Sequence, residues 1–253
     1  MKRRRSGIRL VIFDCDGVLA DADSSWEYVH HAFGTDNTES LKAYMRKEFD
    51  DYEFIRRDVR LWARNGERIH ISIIRKILDG VPLMKGAPEA IKELRRRGIM
   101  TAIVSGGLQP LTERIAGTCG IDINLSNGLV TDNEGYVTGE GIVVVPVSDK
   151  GAVVKKLVKG LGLKKEQCAA IGDRGLDSRM FEHVGLGIAF NPADQEVCDE
   201  AAVVIRKKDL REVLRYLLPD DRKKGKGGRK SGTRKTPARK RAAKVARKKG
   251  AGK

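Results

Sequence analysis

Apolar residues recur along this chain with two periods, one suited to strands and one to helices. Leu10-Val11-Ile12-Phe13 is an unbroken apolar run of strand length that stops at Asp14. Met100–Val104 and Cys168–Ile171 repeat the pattern, and Gly187–Phe190 and Ala202–Ile205 are further short runs. Continuous runs of this kind suit strands buried on both faces. Between them the period lengthens. Pro88 opens a helix that carries Ile91 and Leu94 and stops at Gly98, and Leu111 and Ile115 mark the next. Helices are also predicted over Lys150–Leu161, Ser178–Val184 and Leu210–Leu218, with Pro219 ending the folded part. Asn127-Gly128 and Asp132-Asn133-Glu134-Gly135 are turn signals flanking β-branched residues up to Val147, which predicts a small antiparallel excursion. Strands alternating with helices predict an α/β fold with a Rossmann-like parallel sheet covered on both faces.

Residues 21 to 86 interrupt that alternation and read as helical. Ser24 or Ser25 caps a helix with Trp26, Val29 and Phe33 at helical spacing, and Gly34 stops it. Thr38 caps a second, with Leu41, Tyr44, Met45 and Phe49 on one face. Ile55, Val59 and Trp62 mark a third, stopped at Asn65-Gly66. Ile69, Ile73, Ile74, Ile77 and Leu78 mark a fourth, ending at Asp79-Gly80-Val81-Pro82. These apolar faces predict mutual packing in a small helical bundle. The chain therefore divides into a core of residues 1–20 and 87–219, a helical insertion at 21–86, and a tail at 220–253.

The chemistry sits where the strands end. A strand interior does not tolerate unpaired carboxylates, so Asp14 and Asp16 belong at the carboxyl edge of the first strand, the edge at which open α/β sheets bind ligands. Alternation points both the same way, and two converging carboxylates invite a divalent cation such as Mg²⁺. Ser105-Gly106-Gly107 follows the run at Met100, Asp149-Lys150-Gly151 opens a helix, and Gly172-Asp173-Arg174-Gly175-Leu176-Asp177 follows the run at Cys168.

The order DxD, Ser, Lys, GDxxxD resembles the four motifs of the haloacid dehalogenase-like phosphohydrolases, over roughly residues 8 to 218. The helical insertion is similar to the cap of one subgroup. The resemblance implies a Mg²⁺-dependent phosphomonoester hydrolase. Asp14 would be the nucleophile that forms an aspartyl-phosphate. Asp16 would be the general acid and base. Ser105 and the N–H of Gly106 would donate to the phosphoryl oxygens, and Lys150 would supply positive charge. Asp14, Asp173 and the backbone carbonyl of Asp16 would hold the metal. Asp177 would complete the acidic set, orienting metal-bound water or Lys150.

Within the superfamily Ser105-Gly106-Gly107, Lys150-Gly151 and Asp209-Leu210-Arg211-Glu212 are similar to the phosphoserine phosphatases. Three positions depart from them. Gly17-Val18 stands where Ser-Thr is usual, Leu176 where Asn is usual, and Asp23 falls where a cap glutamate would hold the substrate ammonium. A cap arginine for the substrate carboxylate is not assignable among Arg56, Arg57 and Arg60. The expected substrate is thus a small phosphorylated metabolite, phosphoserine or another small anion such as phosphoglycolate.

Charge and cysteine usage add two points. Residues 222–253 hold sixteen Lys or Arg and no acid, leaving 34 basic against 34 acidic residues in the rest of a chain of net +16. Such a tail cannot bury enough apolar surface to fold and is expected to be disordered. It gives an alternative reading, a nucleic-acid-associated protein whose tail binds polyanions without reading sequence. Cys15, Cys119, Cys168 and Cys198 are scattered and read as reduced cytoplasmic thiols. Met1–Arg5 followed by Ile8–Phe13 has the charge order of a leader, but Asp14 cuts the run short, and no stretch is long enough to span a bilayer.

Overall fold

A seven-stranded sheet runs in the order β4-β3-β2-β1-β5-β6-β7, in a computed structural model that describes residues 7–63 and 66–219. The strands are β1 Leu10–Phe13, β2 Met100–Leu108, β3 Ile123–Thr131, β4 Val137–Ile142, β5 Cys168–Gly172, β6 Leu186–Phe190 and β7 Val203–Ile205. All neighbours pair in parallel except β3 and β4, which form a hairpin. β1 lies between β2 and β5, so the chain reverses its direction of travel across the sheet there, and a ligand crevice opens at such a point.

Alternation along β1 sorts the core into two layers. Val11 and Phe13 face Ile91, Leu94 and Ile115. These come from α5 (Ala87–Arg96) and α6 (Gln109–Cys119). Leu10 and Ile12 face Val154 and Phe181, from α7 (Lys150–Gly160) and α8 (Ser178–Phe181). All four β1 side chains are fully buried. Truncating one as large as Phe13 would cost about 3–5 kcal/mol, so the strand that carries Asp14 is fixed from both sides.

Between β1 and α5 the described residues form four α-helices: α1 Ser25–Phe33, α2 Thr38–Met45, α3 Asp51–Trp62 and α4 Ile71–Asp79. Ser24 caps α1 by accepting from the Glu27 amide, and Gly34 ends it in the left-handed region. Trp62 of α3 stacks on Trp26 and Phe33 of α1. α3 packs on β4, where Ile55 lies against Gly141 and Arg56 pairs with Glu140. The insertion is therefore seated on the hairpin.

Several predicted boundaries shift. β2 runs on through Ser105, Gly106 and Gly107, because Ser105 and Leu108 pair with Ser126 and Asn127 of β3 around an irregularity. Asn127-Gly128 is strand, not turn. The Asn127 side chain takes up the amides of Val144 and Val145, and the hairpin turns at Asp132–Gly135, where Asp132 Oδ1 accepts from Glu134 and Tyr136. Thr38 is the first residue of α2 and not its cap. Its amide and hydroxyl are both taken by Asp36, and Phe49 lies past the helix end. In α4 the buried line is Ile74 and Leu78, and Ile73 is exposed. α8 is a single turn, and the last predicted helix is a 3-10 turn at Leu210–Val213 followed by α10 (Leu214–Leu217). α9 (Gln195–Glu200), capped by Asp194, had no apolar period to announce it. The four cysteines are free thiols. Among the described residues no helix is long and apolar enough to cross a membrane. The predicted tail, with the nucleic-acid reading built on it, lies outside the described residues, as does Asn65.

Candidate active site

Asp14 is the first residue past β1, and its amide donates to the carbonyl of Ile171 at 3.0 Å. That bond carries the pairing of β1 with β5 one residue beyond the strand and directs the carboxylate into the crevice. Gly17 follows at φ 73°, and a Cβ there would collide with the Asp173 carboxylate, so both the turn and the close approach demand glycine.

Lys150 opens α7 and is 6% exposed. Its ammonium lies 3.0 Å from Asp14 Oδ2 and 2.6 Å from Asp177 Oδ1. Asp177 Oδ2 accepts from the amides of Asp173 and Arg174 at 3.0 and 3.2 Å. Both Asp177 oxygens are thus engaged by the chain itself, and the residue locks the Asp173 loop to Lys150.

Asp14, Asp173 and Asp177 each bring an oxygen within 4.8 Å of the others. Lys150 pairs with Asp14 and Asp177 and the partly exposed Arg174 lies 3.7 Å from Asp173, so the three clustered acids face two cations and negative charge is in excess. Burial and Asp177 push the Asp14 carboxyl up to about 7 despite Lys150. Burial, Asp14 and Asp177 push Asp173 up to about 9. Asp14 Oδ1 and Asp173 Oδ1 are buried without a hydrogen-bond partner. Two orphaned hard oxygens within a cluster short of positive charge fit a small divalent cation.

Asp16 stands apart from that cluster. Its Oδ2 accepts from Ser25 N at 2.9 Å and from Ser25 Oγ at 2.8 Å, and Ser25 Oγ in turn accepts from Leu108 N at 3.0 Å. Ser25 N–H is one of the free amides at the start of α1, a favourable place for a carboxylate. Burial raises the Asp16 carboxyl above its ordinary range, and the Ser25 bonds moderate this.

Ser105 is buried and its Oγ accepts from Gly107 N at 3.2 Å. The Gly106 carbonyl accepts from Trp26 Nε1 at 3.1 Å and from Asn127 Nδ2 at 3.4 Å. A Cβ on Gly107 would approach Ser25 Oγ to 2.7 Å and Asp16 Oδ2 to 2.8 Å.

These groups open into one cavity of about 170 Å³. Asp14, Asp16, Asp23, Ser105, Gly106, Lys150 and Asp177 all line it. Asp173, with its orphaned oxygen, is clustered with Asp14 and Asp177 but is not among the lining residues. The opposite wall is supplied by the helical insertion, through Trp26, Leu41, Phe54 and Ile55. Sequence reasoning missed Ser25, Trp26 and Asn127. Ser25 had a visible signal, a second serine beside a sufficient cap. Trp26 and Asn127 had none, since an indole at helical spacing reads as packing and Asn-Gly reads as a turn.

A family model for "haloacid dehalogenase-like hydrolase" matches residues 8–185. The chain belongs to the haloacid dehalogenase-like hydrolases. It is 33% identical over 212 residues to a phosphoserine phosphatase of Wolinella succinogenes, covering 83% of this chain and 100% of the relative. It is 31% identical to that of Methanocaldococcus jannaschii, covering 83% and 97%. A solved phospho-aspartyl intermediate analogue of phosphoserine phosphatase superposes with TM-score 0.70 at 29% identity, over 84% of this chain and 100% of that one. The protein is a phosphatase, and these relatives are phosphoserine phosphatases.

Proposed function

We propose that the protein is a Mg²⁺-dependent phosphomonoester hydrolase that works through an aspartyl-phosphate on Asp14 and takes a small phosphorylated metabolite of the phosphoserine kind. One observation carries this reading. Asp14 is buried at a strand end with Oδ2 on Lys150 and Oδ1 unpartnered beside a cavity. A carboxylate held by one cation and otherwise free of hydrogen bonds is suited to act as a nucleophile.

The Asp14 carboxylate attacks phosphorus as the ester oxygen leaves, and Asp16 gives its proton to that oxygen. Burial, which raises the pKa of Asp16 against the Ser25 bonds, works toward the protonated form that this step needs. Asp16 then takes a proton from water as the water oxygen attacks the phosphoryl group, releasing inorganic phosphate and restoring Asp14. Ser105 and the Gly106 amide donate to the equatorial oxygens, and Lys150 balances the charge that builds on them. Asp14, Asp173 and the Asp16 carbonyl would hold Mg²⁺, which supplies positive charge against the repulsion between anionic nucleophile and anionic substrate. Asp177 keeps the Asp173 loop and Lys150 in register. In this reading residues 21–86 are a cap that shields the phosphoryl group from water over a core of 1–20 and 87–219.

Inorganic phosphate release from a panel of small phosphomonoesters, with Mg²⁺ present, tests it. Turnover concentrated on compact anionic esters is expected, and no release from any monoester contradicts the reading.

A further inference from the structure

Asp16 has to hand a proton to a leaving oxygen, and its surroundings decide which of its two oxygens can do so. Oδ2 accepts from Ser25 N at 2.9 Å and from Ser25 Oγ at 2.8 Å. Oδ1 is buried without a hydrogen-bond partner among the described residues, on a side chain that lines the cavity. One oxygen is an occupied acceptor and the other is open.

Ser25 is itself held in place. Its Oγ accepts from Leu108 N at 3.0 Å. A hydroxyl has a single hydrogen, and with the Leu108 amide on its oxygen that hydrogen is left for Asp16. The Ser25 amide is one of the unpaired N–H groups in the first turn of α1. Gly107 keeps room for the arrangement, because a Cβ there would lie 2.7 Å from Ser25 Oγ and 2.8 Å from Asp16 Oδ2. Ser25 is fully buried and is not among the residues that line the cavity. It can therefore act on a substrate only through Asp16.

We infer that Ser25 is the positioning residue of the general acid: its amide and hydroxyl hold Asp16 Oδ2, so that Oδ1 carries the proton delivered to the leaving oxygen. This rests on the reading of the cavity as a phosphomonoester site. In the first displacement the O–H bond at Asp16 Oδ1 breaks together with the bond from phosphorus to the ester oxygen. The proton passes to that oxygen, the alcohol departs, and Oδ1 is left as part of a carboxylate. In the second displacement Oδ1 takes a proton from the attacking water. The Ser25 hydrogen stays on Ser25 throughout. A carboxyl torsion is broad and roughly two-fold, so without the hydroxyl the group turns more freely and presents its proton less often.

The test is a leaving-group series for the full-length chain and Ser25→Ala: the best alkyl monoester of the panel, phenyl phosphate and p-nitrophenyl phosphate. An alkoxide needs a proton to depart, phenolate needs one less, and p-nitrophenolate departs without one. Ser25→Ala is expected to lower kcat/KM for the alkyl ester by about tenfold or more, part of the roughly 10²–10⁴-fold that a placed general acid supplies. The loss should shrink across the series to less than about twofold for p-nitrophenyl phosphate. In an Asp16→Asn background the same change should cost phenyl phosphate turnover less than about twofold, because no acid remains to be positioned. Ser25→Gly removes the same hydroxyl and serves if Ser25→Ala does not fold. An equal fall on all three esters, no fall on the alkyl ester, or an undiminished effect in the Asp16→Asn background would overturn the assignment and leave the phosphatase reading standing. No turnover of any of the three by the parent chain would remove both.

Discussion

The indole N–H of Trp26 donates to the carbonyl of Gly106 at 3.1 Å, between residues eighty apart in the chain and both buried. The bond ties the first helix of the insertion to the strand end whose amide and Ser105 hydroxyl face the cavity. Trp26→Phe keeps a ring to stack on Trp62 and removes the donor, leaving Asn127 as the carbonyl's remaining partner. The stability loss should be about 1 kcal/mol. Turnover should fall more than so small a loss would suggest, because the Gly106 peptide is freed to rotate. Steady-state kinetics beside urea melts separate the two effects, and unchanged kinetics would show that Asn127 alone fixes the loop.

Lys150 is the shared counter-ion of Asp14 and Asp177. Lys150→Met keeps the stem and deletes the charge, leaving two buried carboxylates facing each other. Breaking a buried pair in this way costs about 3–5 kcal/mol. The cost should be smaller at pH 5 than at pH 8, because protonation relieves the repulsion. Turnover should be lost at both. Denaturant midpoints at the two pH values check the first point, and phosphate release checks the second.

Asp14 is raised to about 7 and Asp173 to about 9, against about 3.9 for an unfolded Asp. Between about pH 4 and 9 the folded, metal-free chain therefore holds more protons on these two groups than the unfolded chain, so its stability falls as pH rises. A cation on the same oxygens favours the ionised forms and works against that fall. Thermal melts from pH 5 to 9 with EDTA should show a declining Tm, and Mg²⁺ should flatten the decline. Chelation should also remove activity, and Mg²⁺ should restore it. A Tm that rises with pH in EDTA would contradict the crowding of charge.

The four motifs and the last packed helix all lie before Asp220. A chain truncated after Pro219 should therefore turn over small phosphomonoesters at the full-length rate. A loss of catalysis on truncation would mean that the basic segment takes part in the site.

What could be read in advance was whatever depends on local period and strand ends. Phe13 to Asp14 and Ile171 to Asp173 are abrupt changes from apolar to acidic, and each marks a strand end. What could not be read depends on partners distant in the chain. Ser105 lies within a strand because residues 126 and 127 pair beside it, and nothing local to Val104-Ser105-Gly106 states that. Asn127-Gly128 has the chemistry of a turn, overridden by two amides of residues 144 and 145. Trp26 has the period of a packing residue, and only the folded chain brings its N–H to Gly106. Arg56, Arg57 and Arg60 were equivalent as sequence. Glu53 and Glu140 decide that all three turn outward.

The central claim is that Asp14 is the nucleophile. Asp14→Asn keeps the shape of the side chain and the Ile171 backbone bond while removing nucleophilicity, so the fold should persist. The decisive measurement is inorganic phosphate release, with Mg²⁺ and the best ester of the panel, by the parent chain and by Asp14→Asn of matched Tm. Turnover at the background rate by a folded Asp14→Asn is the expected result. A folded Asp14→Asn that retains near-parent turnover would contradict the claim.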